Sequence, residues 1–323
     1  MSSRPRTLSS MSLSMLFRSS MRGIKVLSRT GIKTHSRTRS GIMAAFAFFI
    51  FCGWQGMTCR AQQERVLTTD FRLHQDFHSK FLPKNRQVAV WLPPGYDSEP
   101  SRRYPVLYMQ DGGSVLVVWR MDEIAKPLIL ARQIEPLIIV MVSNGGTQDD
   151  RFDEYTPTRA VGFKSGGKAD SYGRMLTEEL KPFIDSEYRT LPDAAHTALG
   201  GTSLGGLVSL YLGLKYPTVF GRLAVMSPSV WWDNKMIVGK VKKLTPKPAT
   251  RIWLDIGTGE GQRVVGEVKE LRDALVKSGW VLNSDLMYFE AKGGEHNDES
   301  FVRRVEPMLK YLFPQEPERP ASR

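Results

Sequence analysis

Cysteine is almost absent from this chain. The 323 residues hold two, Cys52 and Cys59, and both fall within the first 61. From residue 62 onward a disulfide framework, a thiolate nucleophile and a cysteine-held metal are therefore excluded together. Acidic residues are missing from the same opening stretch: residues 1–61 carry ten Lys or Arg and no Asp or Glu, against 35 Lys or Arg and 33 Asp or Glu in the remainder. Of the formal charge of +12, ten thus belong to the opening stretch and only about two to the rest, on which a phosphate-binding face for nucleic acid is not expected. Histidine is scarce as well, with four after residue 61, so chemistry that needs an imidazole has few residues to draw on. Long apolar runs are also lacking. The run Ile42–Phe51 in the opening stretch is ten residues, too short to span a bilayer comfortably.

What the opening stretch does contain is an Arg- and Ser-rich segment, that apolar run, and small and polar residues ending at Cys59-Arg-Ala61. Residues 1–61 read as a targeting leader of the secretory type with cleavage after Ala61, which predicts a secreted or periplasmic protein with no stable membrane span once the leader is gone. The basic segment is long for a signal peptide, so translation from Met21 or Met43, an organelle transit peptide, and lipidation at Cys59 stay open. Residues 62–316 read as one domain, and the Pro- and charge-rich residues 317–323 as a loose tail.

Within that domain, 87–92, 105–109, 137–142, 196–200, 223–226, 251–256 and 285–289 are short apolar or β-branched runs bounded by Gly, Pro and polar residues. Several are continuous rather than alternating, as strands covered on both faces are. Helical spacing occupies about 171–188, 204–215, 262–278 and 299–312. Strands alternating with helices predict an α/β fold with a doubly wound, mostly parallel sheet.

Between one such strand and one such helix the chain reads Gly201-Thr-Ser203-Leu-Gly205. A Gly-x-Ser-x-Gly pentapeptide on a strand-to-helix turn holds a serine hydroxyl out towards a base, which makes Ser203 the candidate nucleophile. In that arrangement the acid and the histidine follow in chain order. His74 and His78 lie near the start of the domain and His196 opens the strand before the elbow, whereas His296 sits in Gly293-Gly-Glu-His-Asn-Asp298 between the last strand and the last helix. His296 is the candidate base. The acid is expected after the strand ending near Ile256, where Asp255 is still inside the strand pattern and Glu260 lies on the loop beyond; Glu260 is favoured. The oxyanion donors are expected to be the N–H of Leu204 and, from the turn Asp111-Gly-Gly113, that of Gly113 or failing it Gly112. Losing one such donor raises the barrier by about 3 kcal/mol.

Other features are secondary. Gly257-Thr-Gly-Glu-Gly261 lacks the third glycine of a dinucleotide fingerprint, and no cofactor is expected. Asp149, Asp150, Asp153 and Glu154 have Arg151 among them and no histidine nearby, so a solvated loop is favoured and no metal is expected. Trp231 and Trp232 follow a strand at the same sheet edge and are read as substrate-binding, or as core. Arg151 is read as steering an acidic substrate.

Together, Pro93-Pro-Gly-Tyr96, Tyr104-Pro-Val-Leu-Tyr-Met-Gln-Asp-Gly112, Arg151 with Glu154-Tyr155, Gly201-Thr-Ser-Leu-Gly-Gly206, Ser227-Pro-Ser-Val-Trp-Trp232, Gly257-Thr-Gly-Glu260 and Gly294-Glu-His296 resemble the putative esterase family. That family includes enterochelin and bacillibactin esterases, S-formylglutathione hydrolases, feruloyl and acetylxylan esterases and antigen 85 mycolyltransferases. The resemblance covers roughly residues 70–313. It implies an α/β-hydrolase fold without a large lid, a triad of Ser203, Glu260 and His296, and a small-molecule or carbohydrate-linked ester as substrate; many relatives have aspartate at the acid position. The Trp-Trp version looks closest to siderophore-esterase-like members. Acyl transfer to a carbohydrate or lipid acceptor, and a non-catalytic binding protein on the same fold, are the rival expectations.

Overall fold

In the computed structural model, which describes residues 67–315, eight strands form one sheet in the order β1-β2-β4-β3-β5-β6-β7-β8. These are β1 Phe71–Phe77, β2 Arg86–Trp91, β3 Val106–Gln110, β4 Ile138–Val142, β5 Thr197–Thr202, β6 Arg222–Met226, β7 Arg251–Gly257 and β8 Leu286–Ala291. β2 runs antiparallel to both β1 and β4, and every other pairing is parallel. The leader read over 1–61 and the tail 317–323 lie outside the described residues. No helix among those described is long and apolar enough to cross a membrane.

The helices are α1 Gly112–Ser114, continued by a π turn through Trp119, then α2 Met121–Leu130, α3 Gln148–Tyr155, α4 Ala169–Arg174, α5 Lys181–Glu187, α6 Leu204–Lys215, α7 Trp232–Val241, α8 Gln262–Lys277 and α9 Asp298–Leu312. A second π turn joins α4 to α5. β3, β4 and β5 are buried at every position, because helices cover both faces of the sheet; hence their near-continuous apolar sequences. β8, at the sheet edge, is mostly half-buried instead. α6 is apolar all round, buried from Leu204 to Leu214, as a helix inside the core must be.

The fold aims the chemistry at one edge. From β3 the chain crosses to β4 on one side, and β5 lies on the other, so the strand order reverses beside β3. Such reversals open a crevice at the strands' carboxyl ends. Asp111, Ser203, Ser227 and Glu260 all stand within three residues of a parallel strand's carboxyl end, and His296 five beyond β8.

Candidate active site

Ser203 sits at φ 57°, ψ −120°, a conformation that costs a non-glycine residue about 1–3 kcal/mol and is kept only where its surroundings impose it. They do so from both sides. The Ser203 N–H donates to the carbonyl of Met226 (3.1 Å), and its own carbonyl accepts from Leu207 and Ser229 (both 3.0 Å). The elbow also needs Gly201: a Cβ there would stand 2.9 Å from both the Gln110 Cβ and the Gly205 carbonyl carbon. The Ser203 Oγ lies 3.2 Å from the Ser229 Oγ, and no Ser203–His296 hydrogen bond is formed among the described residues.

The structure brings Glu260 and His296 together. The His296 Nδ1 and the Glu260 Oε2 are 2.6 Å apart, which fixes Nδ1 as the protonated nitrogen beside a carboxylate and leaves Nε2 free to accept. Local backbone bonds produce this contact: Gly259 N–H donates to Gly294 O (2.8 Å), and Gly293 N–H to Thr258 Oγ1 (2.8 Å), joining the acid loop to the histidine loop. The His296 ring also meets Phe301 edge-on, 5.2 Å between centroids. Its side chain is 45% exposed, whereas that of Glu260 is 1% exposed.

The other Glu260 oxygen accepts from Ser227 Oγ and from the Gly257 N–H (3.0 Å). Burial pushes the Glu260 carboxyl upward, but the hydrogen bonds from His296, Ser227 and Gly257 outweigh it and hold it below the usual glutamate range. Asp255, the alternative acid, faces elsewhere. It is wholly buried, and its oxygens accept from the Arg304 Nη1 (2.6 Å), the Ser227 N–H (3.0 Å) and the Trp253 Nε1 (2.7 Å). Burial pushes its carboxyl up to about 6, with Arg304 pulling the other way.

On the opposite flank, Asp111 has a left-handed backbone, φ 54° and ψ 46°, and its N–H donates to the Tyr155 hydroxyl (3.0 Å). Arg151 grips its carboxylate through Nε (2.9 Å) and Nη2 (2.8 Å), and Asn144 Nδ2 adds a third bond (3.0 Å). Gly112 is wedged against β4, where a Cβ would come within 2.6 Å of the Met141 carbonyl carbon, while Gly113 faces open space. The Gly113 and Leu204 N–H groups lie in the first turns of α1 and α6, and first-turn amides have no intrahelical acceptor.

Of the two readings open for Trp232, the structure takes the core: it is 0% exposed, donates its Nε1 to Thr158 O (3.0 Å) and stacks on Phe152. Trp231, packed against Phe163 and Trp232, is half-buried. Arg151 is engaged by Asp111 rather than standing as a free cation for an acidic substrate. The stretch Asp149–Glu154 is not a loop but part of α3, started by a reciprocal Thr147–Asp150 cap, with Glu154 buried against Arg86 (3.1 Å).

Ser227, Ser229 and Arg304 were not singled out by role in the sequence. Ser227-Pro-Ser229 follows β6 at the same carboxyl edge that pointed to Glu260. Arg304 stands within the inward stripe of α9 formed by Phe301, Val305 and Met308, an Arg where an apolar residue is expected.

A family model described as "Putative esterase" matches residues 79–311. The uncharacterized Bacillus subtilis protein YjcH is 33% identical over 241 residues, 73% of this chain and 95% of that protein. Ferri-bacillibactin esterase BesA of the same organism is 28% identical over 237 residues, 65% and 80% of the two chains. Among solved structures, the BES protein of Bacillus cereus superposes with a TM-score of 0.63 at 23% identity, over 78% of this chain and 97% of its own. With Ser203 on a strained elbow and the fold that carries it, the chain belongs to the putative esterase family and is an esterase on the α/β-hydrolase fold.

Proposed function

We propose that the chain is an exported carboxylic-ester hydrolase working through Ser203, His296 and Glu260 by way of an acyl-enzyme. The observation that carries the reading is the 2.6 Å contact between His296 and a buried Glu260, on the sheet edge where Ser203 is held at φ 57°. With Nδ1–H directed at Glu260, Nε2 is the nitrogen able to take a proton. On substrate binding the Ser203 hydroxyl exchanges Ser229 for that nitrogen; resting sites often hold such contacts loosely. Oγ attacks the ester carbonyl as its proton passes to Nε2. The oxyanion falls to the Leu204 and Gly113 N–H groups. His296 then returns the proton to the departing alcohol, and water, activated the same way, releases the acid.

Trp231, two residues beyond Ser229, packs against Phe163 and both are half-buried, an aromatic surface that suits an ester with a ring in its acyl or alcohol part. Siderophore-type and carbohydrate-linked aromatic esters are the classes proposed, in keeping with relatives named ferri-bacillibactin esterase and endo-1,4-beta-xylanase/feruloyl esterase. Export rests on the basic, acid-free leader.

The test is hydrolysis of p-nitrophenyl acetate and butyrate, then of feruloyl, acetyl-sugar and catechol-bearing esters, by the full chain and by Ser203→Ala. Turnover should fall by at least about 10³-fold in the variant. Equal rates in the two proteins would remove the serine mechanism.

A further inference from the structure

Behind the Glu260–His296 pair lies a second layer of charge. Arg304 and Asp255 have side chains 1% and 0% exposed, and 2.6 Å separates Arg304 Nη1 from Asp255 Oδ1. The same Nη1 donates to Ser227 Oγ at 2.8 Å, and that hydroxyl in turn donates to Glu260. Arg304 Nη2 stands 3.6 Å from Glu260 Oε1, beyond a hydrogen bond, and is buried without another partner. One guanidinium thus faces two carboxylates, bonded to the more distant from the histidine and held just short of the nearer.

A buried charge left uncompensated is costly and draws in whatever counter-charge is closest. Without Asp255, the closest counter-charge to Arg304 is Glu260, the group that orients His296. We propose that Asp255 and Arg304 are positioning residues of the catalytic site: Asp255 compensates the Arg304 cation, so that the Glu260 charge stays committed to His296, while Arg304 holds Ser227 against Glu260. This rests on the triad reading given above and adds two residues to it.

Charge balance gives the arrangement its sense. With Asp255 and Glu260 ionised, Arg304 charged and His296 neutral, the cluster carries one net negative charge. Transfer of the serine proton to His296 brings it to neutrality, so the cluster favours the imidazolium formed during attack. The charged groups around the imidazole are Glu260 from the turn after β7, with Asp255 of β7 and Arg304 of α9 behind it. Glu295 of its own loop and Asp298, the first residue of α9, flank it, bonded to Asn297 and to Trp119.

The test is an NMR titration of the His296 ring in the full chain, its signals identified by their loss in His296→Asn, run beside the pH dependence of ester turnover. Asp255→Asn leaves the Arg304 cation uncompensated; the His296 titration and the acid limb of kcat should both move to lower pH, with kcat about tenfold down and KM unchanged. Arg304→Met removes the cation, and both should move to higher pH. Combining the two substitutions should return the titration toward wild type, which loss of packing alone would not do. Circular dichroism checks folding, and if Arg304→Met does not fold, the isosteric Asp255→Asn decides. Titrations that stay put, or move the same way in both single variants, overturn the inference. If they do so while Ser203→Ala abolishes turnover, the triad reading stands without it; if Ser203→Ala keeps turnover, the triad reading falls and the proposal with it.

Discussion

The elbow at Ser203 is braced on two sides by arginine–carboxylate contacts, and the two braces hold different things. On the β7–α9 side, Arg304 and Asp255 are sealed from water and stand behind a pair of side chains. On the β3–α3 side, Arg151 and Asp111 are 20% and 18% exposed and hold a piece of backbone, the left-handed turn that presents Gly112 and Gly113. A buried charge acts at a distance through its field and must be balanced. A part-exposed bidentate pair is screened, so its use is geometric. The first side should therefore answer to charge and pH, and the second to shape.

The largest effect expected is on the charged side. Glu260→Gln keeps the size of the side chain but presents His296 Nδ1 with an amide, which no longer favours the imidazolium or fixes the tautomer; kcat should drop about 10³- to 10⁴-fold with little change in folding. A loss below about tenfold would mean that the acid is elsewhere. On the shape side, Gly112→Ala puts a methyl group into the β4 backbone. Overpacking of that kind costs about 1–3 kcal/mol, so the thermal midpoint should fall and kcat with it, while the acid limb of the pH profile stays in place.

The smallest effect sharpens the comparison through stability. The folded Asp255 carboxyl titrates near 6 against 3.8 when free, so its contribution to stability is fully present below the free value and is lost as pH rises through about 6. Glu260 acts in the opposite sense: its folded value lies below its free value, so its contribution is present above that free value and is lost as pH falls. Asp255→Asn should cancel only the first contribution. Compared with wild type, the variant's melting temperature should fall less between pH 4 and pH 6.5; parallel curves would show that Asp255 does not titrate there.

The parts of this architecture that follow one repeating rule could be read from the residues. Strand runs such as Leu137-Ile-Ile-Val-Met-Val142 betray burial on both faces, and the rule that loops follow the strands' carboxyl ends picked out Ser203, Glu260 and His296, which the structure sets along that edge with Glu260, not Asp255, against His296. α3 was illegible for a physical reason: Gln-Asp-Asp-Arg-Phe-Asp-Glu-Tyr has no apolar stripe, and its helix depends on the Thr147 cap and on Arg86 reaching Glu154 from β2. α7 carries three left-handed residues directly after Trp232, Asp233 to Lys235, which propensity does not anticipate. Trp232 stayed open between pocket and core because an aromatic at the site edge and one packed behind it look alike in sequence. Arg304 was missed because pairing between β7 and α9 joins residues 49 apart.

The burial of α6 bears on how this enzyme wears out. Segments enclosed on all sides are the last to open as a protein fluctuates, and exposed loops are the first. Ser203 is attached to the former, at the head of a helix buried from Leu204 to Leu214, and His296 to the latter. On warming, the imidazole should therefore leave its register while the nucleophile's support is still whole, and turnover should be lost below the melting of the core, at a temperature set by the hold of Gly259 on Gly294.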